Sequence, residues 1–232
     1  MRALIFAAGK GERMRPLTER VPKPLLPVAG KPLIEWHLEK LAALGVTDVV
    51  INTSWLADTF PPVLGDGARW KLRLHYSFEG REPLETGGGM LQACRVLGDR
   101  PFLAVNGDIW TDFDFARLPA QPAALAHLVM VANPPQHPDG DFSLDEAGLL
   151  QRHGELLTYS GIGVYRPEIL QDWRAIIGAA PGAELDPPRF KLAPLLQAAI
   201  TRNQVSGEYH GGLWTDVGTP ERLAQLDRSL QT

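Results

Sequence analysis

A single cysteine, Cys94, occurs in the chain of 232 residues. This excludes a disulfide framework and any thiolate zinc site, and Cys94 itself reads as a small buried residue of a helix. No apolar run approaches the ~20 residues that cross a bilayer. No cleavable leader is read ahead of the first strand, so the chain is expected to be cytoplasmic, with no membrane partner. Positive charge is not in excess, with 23 Lys+Arg against 27 Asp+Glu and a formal net charge of −4. A general binder of nucleic acid or of an anionic membrane surface carries the opposite balance. His37, His75, His127, His137, His153 and His210 show neither metal-ligand nor triad spacing, and no serine or cysteine nucleophile motif is present. Internal repeats are missing too, hexapeptide repeats among them.

The composition is 44% hydrophobic, enough for a full core in a chain of this length. Apolar runs alternate with helical periodicity through the first half. Strands are expected at Leu4 to Ala8, Asp48 to Asn52, Leu72 to Phe78 and Pro101 to Asn106. Helices are expected at Pro32 to Leu44, with Ile34, Leu38, Leu41 and Gly45 on one face, and at Gly88 to Leu97. A segment from Trp55 to Leu64 reads as a helix broken by Pro61-Pro62. Buried strands separated by helices imply an α/β fold with a mostly parallel, doubly wound sheet. The second half carries strands at Ala126 to Ala132 and Leu156 to Tyr165, an irregular loop from Asn133 to Gly148, an amphipathic helix from Phe190 to Arg202 and a last helix starting at Thr219-Pro220. One domain over 1–232 is expected.

Ligands of such folds sit beyond the carboxyl ends of the strands, and the first strand runs directly into Ala8-Gly9-Lys10-Gly11-Glu12-Arg13. Glycines there let backbone N–H groups approach a polyphosphate, and Arg13, Arg15 and Lys23 can supply the charge that gathers phosphates. The loop is no Walker motif, because no Gly-Lys-Ser/Thr follows. It is no dinucleotide fingerprint either, because Met14 stands where the third glycine belongs. Two aspartates follow in telling contexts, Asp108 in Val105-Asn106-Gly107-Asp108 and Asp216 in Trp214-Thr215-Asp216-Val217-Gly218-Thr219-Pro220-Glu221. Either alone reads as a turn or cap residue. Together they suit Mg²⁺, which takes oxygen ligands from one or two carboxylates and completes its shell with substrate phosphates. Pro83-Leu84-Glu85-Thr86-Gly87-Gly88-Gly89 opens a helix through three glycines and would admit a flat base or ribose. Glu79, just upstream, reads as a solvated carboxylate before it reads as a base acceptor.

The sequence Gly9-x-Gly11-Glu12-Arg13, with Lys23 following in Pro22-Lys23-Pro24-Leu25-Leu26-Pro27, resembles the nucleotide loop of the sugar-1-phosphate nucleotidylyltransferases. The Gly-Asp and Trp-x-Asp-x-Gly-Thr-Pro-Glu elements resemble that family's metal positions, so the resemblance spans the chain. It implies a Rossmann-like, GT-A-like fold with a nucleotide-binding half (1–120) and a sugar-binding half (121–232), and Mg²⁺ at Asp108 and Asp216. Arg13 and Lys23 are implied as catalytic cations, and Ala8, Gly9, Gly11, Glu12, Glu85, Thr86, Gly87 and Asn106 as nucleotide contacts. Glu85 departs from the family pattern, which has glycine there. Gly140, Asp141, Glu155, Tyr159 and Ser160 are implied as sugar contacts, although Leu156-Leu157 follow Glu155 where the family has Lys-Pro.

The compact length, Leu84-Glu85-Thr86-Gly87-Gly88-Gly89, Gly140-Asp141-Phe142, Tyr159 to Tyr165 and Phe190 to Leu196 most resemble the short uridylyltransferases that act on N-acetylmuramic acid α-1-phosphate in cell-wall recycling. Guanylyltransferases for mannose 1-phosphate, thymidylyltransferases and a non-catalytic nucleotide-sugar sensor stay open as alternatives. The implied partners are small molecules, a nucleoside triphosphate and a sugar 1-phosphate, with the protein a monomer or weak homo-oligomer. A muramyl substrate adds a lactyl carboxylate, for which Arg189 and Lys191, at the start of the helix expected from Phe190, are the candidate cations; the alternative is that both are solvated surface charges.

Overall fold

The computed structural model describes residues 1–231, so Thr232 of the expected second half lies outside the described residues. Seven strands form one sheet: β1 (Arg2–Phe6), β2 (Asp48–Thr53), β3 (Arg73–Phe78), β4 (Phe102–Asn106), β5 (Ala126–Val131), β6 (Thr158–Tyr165) and β7 (Val205–Tyr209). Their spatial order is β7-β5-β6-β4-β1-β2-β3. Strand β6 alone is antiparallel to its neighbours, which makes the sheet mostly parallel as the sequence predicts. The sheet is continuous across residue 120, because β4 of the first half pairs with β6 of the second.

Alternation along the strands divides the core. Ala3, Ile5, Val49 and Ile51 face one side, where α1 (Leu33–Ala43) and α2 (Phe60–Leu64) pack. Leu4, Val50 and Ala104 face the other, against α3 (Glu85–Leu97), α4 (Trp173–Ile177) and α5 (Ala193–Thr201). Burial on both faces is what forces near-continuous apolar strands in a parallel sheet. A third cluster, with Met14, Leu33, Trp110, Val217 and Leu226, seats α6 (Pro220–Ser229) beside the first loop. Thr219 caps α6 by accepting from the Arg222 amide, as the Thr-Pro signal predicts. Among the described residues, no helix is long and apolar enough to cross a membrane.

Several boundaries differ from the sequence reading, each for a visible reason. Strand β1 stops at Phe6 because the Ala7 amide donates to the Asn52 side chain instead of to a strand neighbour. Pro61 and Pro62 begin α2 rather than break it, since a missing N–H is harmless in a first turn. Gly45 lies beyond α1 and is exposed. Helix α3 starts at Glu85, so its three glycines lie inside its first turns. Helix α5 starts at Ala193, not Phe190. The Phe190 N–H donates to the Leu84 carbonyl, and its own carbonyl accepts from Gly87 and Gly88, so residues 188–190 form a strap across the start of α3. Cys94 is only half-buried on α3, and burial pushes its thiol up to about 11.

Candidate active site

In register, Phe6 at the end of β1 stands between Asn52 of β2 and Asn106 of β4. The reversal of strand order at β1 opens a crevice there, and the first loop fills one side of it. Thr18 folds that loop back by donating to the Gly11 carbonyl at 2.7 Å, and Trp55 holds the Thr18 carbonyl at 2.8 Å. Gly11 has φ +62, the left-handed backbone that glycine tolerates. Glu12, Arg13 and Arg15 are exposed. A cavity of about 560 Å³ lies over the loop, lined by Lys10, Gly11, Glu12, Arg13 and Lys23, and also by Arg189.

Next to it, sharing Gly11, Lys23 and Glu85, is a cavity of about 340 Å³ whose lining includes Ala8, Gly9, Asn52, Glu79, Thr86, Asn106 and Asp108. Glu79 is 6% exposed, which corrects the solvated reading. It accepts from Asn52 Nδ2 at 2.7 Å and from the Leu84 amide at 2.8 Å. Burial pushes its carboxyl above the usual range against the pull of those two donors.

The three glycines of α3 serve packing. A Cβ on Gly87 would lie 2.5 Å from the Phe190 ring, on Gly88 2.4 Å from the Pro188 carbonyl oxygen, and on Gly89 2.3 Å from Glu79 Oε1. The Gly87 and Gly88 amides both donate to Phe190, so neither is free to read a base, and Gly87 lines none of the cavities described here. Thr86 lines the 340 Å³ cavity while its hydroxyl accepts from the Leu192 amide. Glu85 has φ +63, which explains why the family pattern has glycine at this position.

Asn106 connects this cavity to two more. One, about 380 Å³, is lined by Gly140, Asp141, Tyr159 and the start of α5; the other, about 270 Å³, by Asp108, Asp141, Tyr159, Ser160 and Asp216. Asp141 is fixed by accepting from the Tyr159 amide at 2.8 Å and pairs with His137 at 3.2 Å. The register of β6 shifts between Tyr159 and Gly163. A Cβ on Gly161, where φ is +82, would lie 2.5 Å from Asn106 Nδ2, so this glycine clears the space that Asn106 occupies. Glu155 is exposed and lines none of the cavities described here, so the fold leaves it apart from the other expected sugar contacts.

The two aspartates meet through backbone. Ile109–Thr111 pairs antiparallel with Trp214–Asp216, which sets Asp216 opposite Ile109, and the Val217 amide donates to the Asp108 carbonyl at 2.8 Å. Lys23 Nζ lies 2.6 Å from Asp108 Oδ2, and Arg222 lies 2.6 Å from Asp216 Oδ1. Lys23 is therefore mostly enclosed, at 11% side-chain exposure, rather than a free surface cation. Among the described residues no group of three or more His, Cys, Asp and Glu could hold a metal. Two hard carboxylates on one cavity fit Mg²⁺ in the mode where substrate phosphates and water complete the shell.

The cation pair expected for a lactyl group lies just ahead of α5 rather than in its first turn. Arg189 and Lys191 precede α5; Arg189 faces the 560 Å³ phosphate-loop cavity and Lys191 is exposed. Sequence reading also passed over Asn52, Gln136 and Arg222. Asn52 carried a signal, since it ends an apolar strand run as Asn106 does.

The nucleotidyl transferase family model matches residues 2–149. The chain is 47% identical to an N-acetylmuramate alpha-1-phosphate uridylyltransferase of Neisseria meningitidis, over 97% of this chain and 96% of that protein. It is 35% identical to a protein of the same description from Caulobacter vibrioides, over 94% and 92% of the two chains. Among solved structures, one described as a glucose-1-phosphate thymidylyltransferase from Bacillus anthracis, in complex with sucrose, superposes with a TM-score of 0.81 at 19% identity, covering 99% of this chain and 94% of that one. That last likeness shows the fold.

Proposed function

The chain belongs to the nucleotidyl transferase family, and we propose that it transfers a uridylyl group from UTP to N-acetylmuramic acid α-1-phosphate, giving UDP-N-acetylmuramic acid and pyrophosphate for cell-wall recycling. The observation that carries the reading is the convergence of the phosphate loop, Lys23, Asp108 and Asp216 on one cleft, in a chain that matches an N-acetylmuramate alpha-1-phosphate uridylyltransferase over almost its full length. A sensor that binds without catalysis has no need of all three charged groups.

The reaction is an in-line displacement. An oxygen of the sugar phosphate attacks the α-phosphorus, the bond to the β-phosphate oxygen breaks, and pyrophosphate leaves with that electron pair. No covalent enzyme intermediate is needed, so the chain's contribution is positioning and charge. Arg13 and Lys23 gather the triphosphate, Lys23 moving from Asp108 to a phosphate oxygen. Asn106 and Thr86 line both the nucleotide and the sugar cavities and would orient the α-phosphate between them. Gly140, Asp141, Tyr159 and Ser160 would hold the sugar. Asp108 and Asp216 would hold a divalent cation, which when bound neutralises charge on the α-phosphate and the leaving group.

The test is pyrophosphate release across a matrix of nucleoside triphosphates and sugar 1-phosphates. UTP with N-acetylmuramic acid 1-phosphate is expected to give the highest kcat/KM. A preference for GTP with mannose 1-phosphate would replace this reading with that of a guanylyltransferase.

A further inference from the structure

The two carboxylates assigned to the cation each already have a cation of the protein's own, and the two cations differ in where they can go. Lys23 lines the phosphate-loop cavity and has a second anion to bind once nucleotide arrives. Arg222 lines none of the four substrate cavities; it borders an adjoining one, of about 500 Å³, which shares Pro134, Gln136 and Trp214 with the cavity that both aspartates line. Its helix is anchored by Leu226, buried against Met14, Trp110 and Val217. The guanidinium donates to Asp216 Oδ1 at 2.6 Å, and Gln136 Nε2 donates to the same oxygen. The turn before the helix is shaped around it: a Cβ on Gly218 would lie 2.1 Å from an Arg222 terminal nitrogen.

We propose that Arg222 is an internal competitor for the cation at Asp216. With no nucleotide bound it neutralises that carboxylate, so a divalent ion binds the free protein weakly and enters together with the triphosphate. Phosphate oxygens then supply what the half-neutralised carboxylate pair does not. The same pair fixes Asp216 in place, so the carboxylate is oriented before the ion arrives. This rests on the assignment of Asp108 and Asp216 to the metal.

The experiment measures Mn²⁺ binding to the nucleotide-free protein, by electron paramagnetic resonance of unbound Mn²⁺. Arg222→Gln is expected to tighten binding roughly tenfold, the size of effect given by removing one adjacent unit charge in a partly screened site. Adding Asp216→Asn to Arg222→Gln should abolish the gain. Arg222→Met, which removes the same charge and keeps an apolar stem, should tighten binding likewise and serves if the glutamine variant does not fold. Unchanged or weaker Mn²⁺ binding in either folded single variant overturns the competitor role. If Asp108→Asn and Asp216→Asn leave Mn²⁺ binding unaltered even with UTP present, the metal assignment itself falls. If they weaken it while Arg222→Gln fails to strengthen the free protein's binding, only the role of Arg222 falls.

Discussion

Asn52 and Glu79 are hydrogen-bonded at 2.7 Å inside the protein, and between them they tie three segments of the cleft together. Asn52 Oδ1 accepts from the Ala7 amide at 2.6 Å, and Glu79 accepts from the Leu84 amide at 2.8 Å. The start of the phosphate loop, the end of β2 and the approach to α3 are thereby held in one arrangement. Asn52→Ala leaves a buried amide and a buried carboxylate oxygen without partners. It should lower stability by about 2–4 kcal/mol and raise KM for the nucleotide. Urea denaturation checks the first effect, and an unchanged midpoint would show that the network carries no such weight.

That network also marks where the sequence could be read and where it could not. The sheet, its mostly parallel sense and the placing of Gly11, Asp108 and Asp216 at strand ends follow from local patterns, because strand periodicity and glycine turns are local properties. The partnership of Asn52 with Glu79, 27 residues away, depends on β2 and β3 lying side by side, which no local pattern states. The need for glycine on α3 is hidden for the same reason. At Gly87 and Gly88 it comes from Phe190 and Pro188, about a hundred residues later in the chain, and at Gly89 from the buried side chain of Glu79. Helix α5 starts later than the apolar spacing predicts because Phe190 bonds to Leu84, Gly87 and Gly88 at the start of α3 instead.

His37 gives a dependence of stability on pH. It is buried on α1, where one ring nitrogen meets the Ile109 carbonyl at 2.9 Å and the other has no partner. Burial, foremost, brings its pKa down from 6.5 to about 4. The unfolded chain therefore takes up the proton first. The stabilisation is complete above pH 6.5, is lost as pH falls from 6.5 towards 4, and is level below that. The loss should reach about 3 kcal/mol. Stability of the native protein should fall more steeply than that of His37→Gln across this window, and parallel curves would overturn the assignment.

Lys23 should be indispensable to turnover. Lys23→Ala removes a charge-assisted contact to a phosphate and is expected to reduce kcat by ~10²–10³. Because Lys23 also pairs with Asp108 at 2.6 Å, the variant leaves that carboxylate uncompensated, and a small loss of stability should accompany the kinetic one. Turnover within a few-fold of native, in a folded variant, would remove Lys23 from the mechanism.

Glu85 holds a left-handed backbone, φ +63, at the start of α3. A non-glycine residue is strained there by about 1 kcal/mol, so Glu85→Gly should stabilise the free protein by that amount. Glu85 also lines both the 560 Å³ and the 340 Å³ cavities. If its carboxylate contributes to binding, the same variant should raise KM for UTP while it gains stability. A variant no more stable than the native protein would show that the backbone at this position carries no strain.

Arg189 and Lys191 are two residues apart, yet the fold sends them to different places. The Phe190 carbonyl is clamped by the Gly87 and Gly88 amides, and the Arg189 amide donates to the Gly182 carbonyl at 2.9 Å. A Cβ on Gly182 would lie 3.1 Å from Arg189 Nε, so the arginine stem lies directly against that glycine. Held this way, Arg189 borders the cavity over the phosphate loop with Arg13 and Lys23, while Lys191 is exposed. This placement favours a role for the charge of Arg189 at the triphosphate rather than at a lactyl carboxylate. Arg189→Ala should raise KM for UTP about tenfold, as expected when one charge-assisted phosphate contact is lost, with KM for the muramyl substrate altered far less. Lys191→Ala should leave both values within twofold of native, as for a solvated surface cation. Steady-state kinetics with each substrate varied in turn decides the matter. A rise confined to the sugar phosphate in Arg189→Ala would return this residue to the lactyl group.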